Sequence, residues 1–188
     1  YITMKRLFFL TVAVVGLMLM AGCHNKKTAK VMGMNDSIDL AEDNDSTIYG
    51  ICGDGTSMHS LQLIADSGDT LDVFVDDEQP GLVQGGLLAG DRIALIAYKA
   101  NDGEMVAQRV INLTSLLGKW TSIDKNFEIV EGGDIINNVK AESNPWTSWK
   151  IVNGQLLLNT DTFAIDNLGP DSLLLENHKG IYVFKRQQ

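Results

Sequence analysis

The sequence predicts an all-β chain folded as two successive barrels. From residue 47 onward, short apolar runs alternate with turns rich in Gly, Asp and Asn, the pattern of strands joined by tight turns. No stretch holds a capped 3.6-residue period of the kind that a packed helix requires. The composition is that of a globular chain, 45% hydrophobic and 21% charged over 188 residues, so there is enough apolar material for a core. The formal net charge is -9, which excludes a large basic surface and with it nucleic-acid binding. Two cysteines cannot build a disulfide framework.

The first element is a leader and not part of either barrel. Lys5-Arg6 form a basic start, and Leu7 to Met20 follow without a charge, a run short for a membrane span but matched to a signal-peptide core. Leu19-Met20-Ala21-Gly22-Cys23 resembles a bacterial lipobox, with Met20 where Leu is usual. That resemblance implies cleavage before Cys23 and diacylglycerol on its thiol. Met4 is the expected start, and 1–22 the lipoprotein signal peptide. A secretory leader with an incidental cysteine, or an uncleaved anchor, leaves the agreement of charge, length and cysteine position unexplained. Three acyl chains at ~0.8 kcal/mol per buried methylene make such an anchor effectively permanent. Residues 23–46 then read as lipidated cysteine and linker, polar and without sustained period, ending Glu42-Asp43-Asn44-Asp45-Ser46. A flexible chain of that length has a reach of ~25–30 Å.

Residues 47–115 carry five strand signals: Ile48–Ile51, Leu61–Ile64, Leu71–Val75, Ile93–Tyr98 and Met105–Leu113. Asp66-Ser67-Gly68-Asp69 and Asn101-Asp102-Gly103 supply turns, the second at hairpin spacing. Gly90-Asp91-Arg92-Ile93 resembles the entry to a long strand of OB-like and SH3-like barrels, so a small barrel of that kind is expected. One short helical turn is expected at Leu113–Leu117.

Residues 116–188 carry eight strand signals in order: Lys119–Ile123, Asn126–Val130, Ile135–Lys140, Trp146–Val152, Gln155–Asn159, Thr162–Asp166, Ser172–Glu176 and Ile181–Arg186. Asn153-Gly154 marks a two-residue hairpin, because both residues tolerate positive φ. Tight turns throughout predict an up-and-down meander that closes on itself. Leu156–Leu158, Leu173–Leu175 and Ile181–Phe184 are apolar on both faces, where a half-solvated barrel alternates. The extra face calls for cover, most simply by the first barrel; a binding surface is the other reading. Trp146 and Trp149, three apart, face opposite sides of a continuous strand.

Gly118-Lys119-Trp120 is similar to the Gly-x-Trp signature of lipocalins. With Trp146-x-x-Trp149-Lys150, the leucine triplets and the closing Tyr182-Val183-Phe184-Lys185-Arg186, residues ~116–188 behind the leader resemble the lipocalin-like lipoproteins of Bacteroidetes. The resemblance implies a lipocalin-like barrel whose signature Trp120 closes the floor under a basic residue of the last strand, Arg186 or Lys185. It implies ligand contacts from Trp146, Trp149, Phe163 and Tyr182, although about 73 residues make a shallower barrel than a full lipocalin. It also implies O-glycosylation at Asp-Ser sites of the tether, Ser37 and Ser46. Asp69-Thr70-Leu71 and Asp171-Ser172-Leu173 match the same pattern, where a glycan would crowd a strand.

No nucleophile elbow, P-loop, dinucleotide fingerprint or zinc spacing is present, so the chain reads as no enzyme and calls for no cofactor or metal. His24, His59 and His178 are far apart. Cys52 reads as a small buried hydrophobe; a redox or copper-binding thiol near Met58 and His59 is the alternative. Residues 31–115 hold fifteen acidic against three basic residues. Asp76-Asp77-Glu78, with Asp69 and Asp72, reads as a solvated face or as a Ca²⁺ site. Asp43-x-Asp45-x-Thr47 starts like an EF-hand loop but has Ile48 at the glycine position.

The sequence therefore points to a lipid-anchored envelope protein of a Gram-negative bacterium, on the outer membrane and facing the periplasm, since His24-Asn25-Lys26-Lys27 lacks the acidic run of surface export. Two functions remain open. The second barrel holds a small apolar or amphipathic ligand, or both barrels are filled by their own side chains and the protein binds an envelope partner. Envelope-stress and copper-response lipoproteins combine the same barrels, in the reverse order and with a Cys-x-x-Cys that this chain lacks. Cys23→Ser is expected to release the protein from membranes. Fractionation that leaves the mutant membrane-bound, its leader removed, would refute the anchor.

Overall fold

The computed structural model describes residues 44–139 and 142–187. Among the described residues, fourteen strands and one short helix form two barrels within one compact unit. The first contains β1 (Ile48–Cys52), β2 (Ser60–Ala65), β3 (Thr70–Phe74), β4 (Val83–Gln84), β5 (Arg92–Lys99) and β6 (Met105–Asn112). β1 pairs antiparallel with both β2 and β5, and β5 with β6. A parallel pairing, Val73↔Met105 and Phe74↔Val106, joins β3 to β6 and closes a five-stranded, OB-like Greek-key barrel. Each of the five sequence-predicted strands is present. β4 is an addition, two residues long and parallel to the end of β6; so short a strand leaves no periodicity to read. Inward Leu61, Leu63, Val73, Ile93, Leu95 and Val110 are wholly buried and form this barrel's core.

The helix α1 (Leu113–Leu116) leads directly into the second barrel. Asn112 caps it: the side-chain carbonyl accepts from Ser115 N at 2.9 Å, and the amide donates to Asp91 Oδ2 at 2.6 Å. The barrel follows as β7 (Gly118–Thr121), β8 (Asn126–Ile129), β9 (Ile135–Asn137), β10 (Trp149–Val152), β11 (Gln155–Leu158), β12 (Asp161–Leu168), β13 (Ser172–Asn177) and β14 (Gly180–Arg186). Consecutive strands pair antiparallel, and β14 returns to β7 through Lys185↔Thr121 and Arg186↔Trp120. β9 and β10 share no ladder. The bridge Asp134↔Ser148, with Trp149 N to Gly133 O at 2.8 Å, spans that seam, so the barrel is nearly closed. All eight expected strands occur, and the up-and-down order is the one the turns predict.

The closed floor is built around Trp120. Trp120 is wholly buried, and its indole N–H donates to Leu116 O at 2.9 Å. The Arg186 guanidinium lies over the indole, 4.2 Å from ring to Cζ. The same guanidinium donates to Ser115 O at 2.5 Å, Leu117 O at 2.8 Å and Pro170 O at 2.6 Å. Gly118 has φ +122, and a Cβ there would stand 2.7 Å from Arg186 Nη1. The glycine of the motif therefore leaves room for the arginine.

The floor end sits on the first barrel. Ala94 and Ile111 join the second barrel's core cluster together with Leu113 and Leu116. Buried Gln84 accepts from Leu168 N at 2.7 Å, and Gly85 N donates to Leu168 O at 3.0 Å. The Arg109 guanidinium donates to Ile165 O. Asn153 and Gly154 have φ 50 and 73, as the predicted hairpin turn requires. That turn is held by Asn44–Thr47: Asn153 N donates to Asp45 Oδ1 at 2.9 Å, and Asn153 Oδ1 accepts from both N and Oγ of Ser46 at 2.9 Å. The chain is thus docked from Asn44 onward, which takes in the last three residues of the segment the sequence reads as linker.

One expectation is corrected. The first barrel does not cover the outer faces of β13 and β14. Leu173, Leu175 and Phe184 point inward and Leu174 is half-buried, but Ile181 and Val183 are 63% and 57% exposed. The contact surface of the first barrel is taken up by the floor end instead.

Trp120→Ala is expected to cost ~3–5 kcal/mol, since it leaves a cavity under Arg186. Urea unfolding measures it, and an unchanged midpoint would remove this account of the floor.

Candidate functional site

The four residues expected to touch a ligand fall in two places. Trp146, Phe163 and Tyr182 meet inside the second barrel with Phe127 and Phe184. The rings pack edge to face, Phe127–Trp146 at 5.1 Å, Phe127–Phe184 at 5.2 Å, Phe163–Tyr182 at 5.5 Å and Trp146–Phe163 at 5.7 Å. Trp146 and Phe163 are buried. Trp146 enters the core from the segment before β10, and Lys125 Nζ lies 4.1 Å above its ring. Lys125 pairs with Glu142, whose other oxygen accepts from Asn137 Nδ2 at 2.7 Å. Trp146 and Phe163 are therefore core residues packed on each other and not the lining of an open cup.

Trp149 stands apart, on the opposite side of the chain from Trp146 as the three-residue spacing predicts. Its indole N–H donates to Val130 O at 2.8 Å, and its ring lines a cleft of about 510 Å³ between the two barrels. Tyr49 and Arg92 face it from the first barrel, Glu131 and Lys150 from the second. Tyr49 Oη donates to Ile151 O at 2.7 Å. Burial, reinforced by the Asp45 carboxylate and opposed by Arg92, pushes this phenol up from 10.0 to about 12. Arg92 forms a bidentate pair with Asp66 and holds that carboxyl below its ordinary range.

A second cleft, of about 740 Å³, runs between β14 and the β7–β8 hairpin, lined by residues 121–125 and 181–185. It takes Tyr182 and Phe184 from the barrel wall and Ile123, Ile181 and Val183 from the surface. Ile123 is fully exposed at the hairpin tip. Of these surface residues, the sequence singles out Ile181 and Val183 only as part of a doubly apolar strand, and it places Ile123 at the end of the strand Lys119–Ile123; the strand stops at Thr121 and leaves Ile123 in the hairpin turn.

Other expected sites resolve differently. Cys52 is buried, with Sγ 3.3 Å from Thr56 Oγ1, while Met58 and His59 are exposed and His59 Nδ1 is 3.1 Å from Asp77. Among the described residues, no group of three or more His, Cys, Asp or Glu side chains is placed to hold a metal ion. Cys23 and Ser37 lie outside the described residues. Ser46 is not on an open tether: its amide and hydroxyl are both engaged by Asn153.

Comparison with protein-family models, with curated proteins and with solved structures finds no match to this chain.

The Tyr49 phenol gives a test of the joint between the barrels. Folding favours its neutral form, so its contribution is complete below 10.0 and is lost as pH rises through about 12. Phenolate absorbance is expected to show one late step near 12, absent in Tyr49→Phe. A variant titration identical to wild type would refute this placement.

Proposed function

We propose that this chain is a lipid-anchored envelope protein without enzymatic activity that binds a protein partner through the outer surface of two joined barrels. The aromatic packing of Trp146 against Phe127, Phe163 and Phe184 carries this reading. A ligand inside the barrel would have to displace a buried indole, at a cost comparable to the ~3–5 kcal/mol of an aromatic core truncation. Lipidation of Cys23, the outer-membrane location and the periplasmic orientation belong to the same proposal and rest on the leader sequence. Kinship with the lipocalin-like lipoproteins of Bacteroidetes is supported by Gly118, Trp120 and Arg186, which meet at the barrel floor. Two joined barrels make a rigid platform, which suits recognition at little cost in ordering.

The test is whether the barrel carries cargo. Protein purified from its native membrane and extracted with organic solvent is expected to release no apolar molecule in stoichiometric amount beyond its own acyl chains. A fluorescent fatty acid is expected to show no saturable site in the wild type, while Trp146→Ala opens one. Saturable binding to the wild type would overturn the partner-binding reading in favour of a small apolar or amphipathic ligand.

A further inference from the structure

The backbone of β14 is paired on one side only over part of its length. Arg186 N donates to Asp171 O on the β13 side, and Gln187 N donates to Lys119 O on the β7 side. Strand alternation therefore turns the amide and carbonyl groups of Ile181, Val183 and Lys185 toward β7. β7 meets β14 only at Lys185↔Thr121 and Arg186↔Trp120. Beyond that point the β7 chain turns away, with Ser122 N donating to Lys125 O at 2.7 Å. Ile181 and Val183 thus present their N–H and C=O groups to the 740 Å³ cleft with no strand opposite them. Their side chains, with Ile123 across the cleft, add an apolar rim.

Two lysines stand beside the cleft at one end, with Glu128 of β8 across from Lys119. Lys185 and Lys119 are exposed on the outer face of adjacent strands, next to the point where β7 and β14 part. Neither makes an ion pair or side-chain hydrogen bond with any described residue, whereas Lys125 and Lys179 are paired with Glu142 and Asp161. Asp124 stands on the hairpin tip.

We propose that this edge of β14 receives an extended segment of a partner protein, with apolar residues at alternate positions and carboxylates at the end that meets Lys119 and Lys185. The inference rests on the partner-binding reading and deepens it. Main-chain bonds to Ile181 and Val183 supply affinity, the cleft takes alternate side chains, and the two lysines fix direction. An unpaired apolar edge is an aggregation hazard, which soluble proteins cover or break with charge. Here Ile181 and Val183 stay open while Phe184 on the inward face of the same strand is buried and Tyr182 half-buried.

The probe is a short peptide of alternating valine and threonine ending in aspartates, added to the full-length protein in detergent micelles. Amide hydrogen exchange at Ile181 and Val183 is expected to slow by at least about tenfold on binding. A lysine-ended peptide is expected to bind more weakly by about tenfold, a difference that added salt erases. Val183→Pro removes an N–H that points away from β13, so it is expected to abolish binding while the sheet stays intact. Should that variant fold poorly, a peptide N-methylated on its pairing side makes the same test on the unaltered protein. Binding that survives either change, or no binding, overturns the proposal. Association with phosphatidylglycerol vesicles that Val183→Asp abolishes and Val183→Pro leaves intact would assign the patch to membrane and overturn it too. Photo-crosslinking in cells separates the two levels. Protein adducts from position 150 but not from 183 defeat the edge while leaving partner binding; adducts from neither position, with apolar cargo recovered, defeat both.

Discussion

The guanidinium of Arg186 holds the lower half of this molecule together. It lies on Trp120, which starts the second barrel, and it belongs to the strand that ends it. Its three hydrogen bonds reach the carbonyls of Ser115 and Leu117, at the joint between barrels, and of Pro170, in the β12–β13 turn. A helix of four residues cannot satisfy its own C-terminal carbonyls, so the connection between barrels needs an outside donor. Arg186 is that donor for Ser115 and Leu117, and the Trp120 indole serves Leu116. Burial pulls its pKa below the ordinary value, while the Asp171 carboxylate opposes the shift. Charge, stack and fork geometry are all used, which a lysine could not supply.

From that joint outward, the two barrels behave as one body. Asn153 gathers Asn44, Asp45, Ser46 and Thr47 around a single hairpin turn, and Gln84 completes the backbone bonding of Leu168. The arrangement is economical with polar groups: among the described residues, no buried side-chain nitrogen or oxygen lacks a hydrogen-bond partner. Chain entry and barrel joint are therefore one structure. Any pull transmitted along the chain from the N-terminal side reaches the Asn153 turn before it reaches β1.

Much of this was legible in the sequence. Period-two apolar runs and glycine-containing turns located thirteen of the fourteen strands, because each strand is bounded by a residue that punctuates it, as Gly68, Gly103 and Gly154 do. The Arg186–Trp120 contact was legible only through resemblance to a known motif, since no local pattern joins residues so far apart. The fate of the apolar faces was not legible. Ile181 and Leu175 look alike in a pattern, and only the three-dimensional path of β7 decides which of them stays in water. The segment around Ser46 shows a related limit. Asp, Asn and Ser mark a tether when nothing meets them, and the same residues form a dense hydrogen-bonded turn once Asn153 is brought alongside.

The size of the second barrel links these observations. Strands of three to eight residues enclose little volume, and five aromatic rings meet within it. A barrel so filled leaves little interior for a ligand, which is why the proposed recognition is placed on its wall. The wall is incomplete in two places, and they differ in kind. At the β9–β10 seam, the Asp134–Ser148 bridge and the bonds from Ile135 N to Thr147 O and from Trp149 N to Gly133 O complete the bonding. At β14 the β7–β8 hairpin peels away instead, and Ile181 and Val183 keep backbone groups and side chains facing solvent. The first gap is closed by the chain's own backbone bonds. The second is closed by nothing in the described chain, and its polar backbone and apolar rim together match the two demands of one more strand.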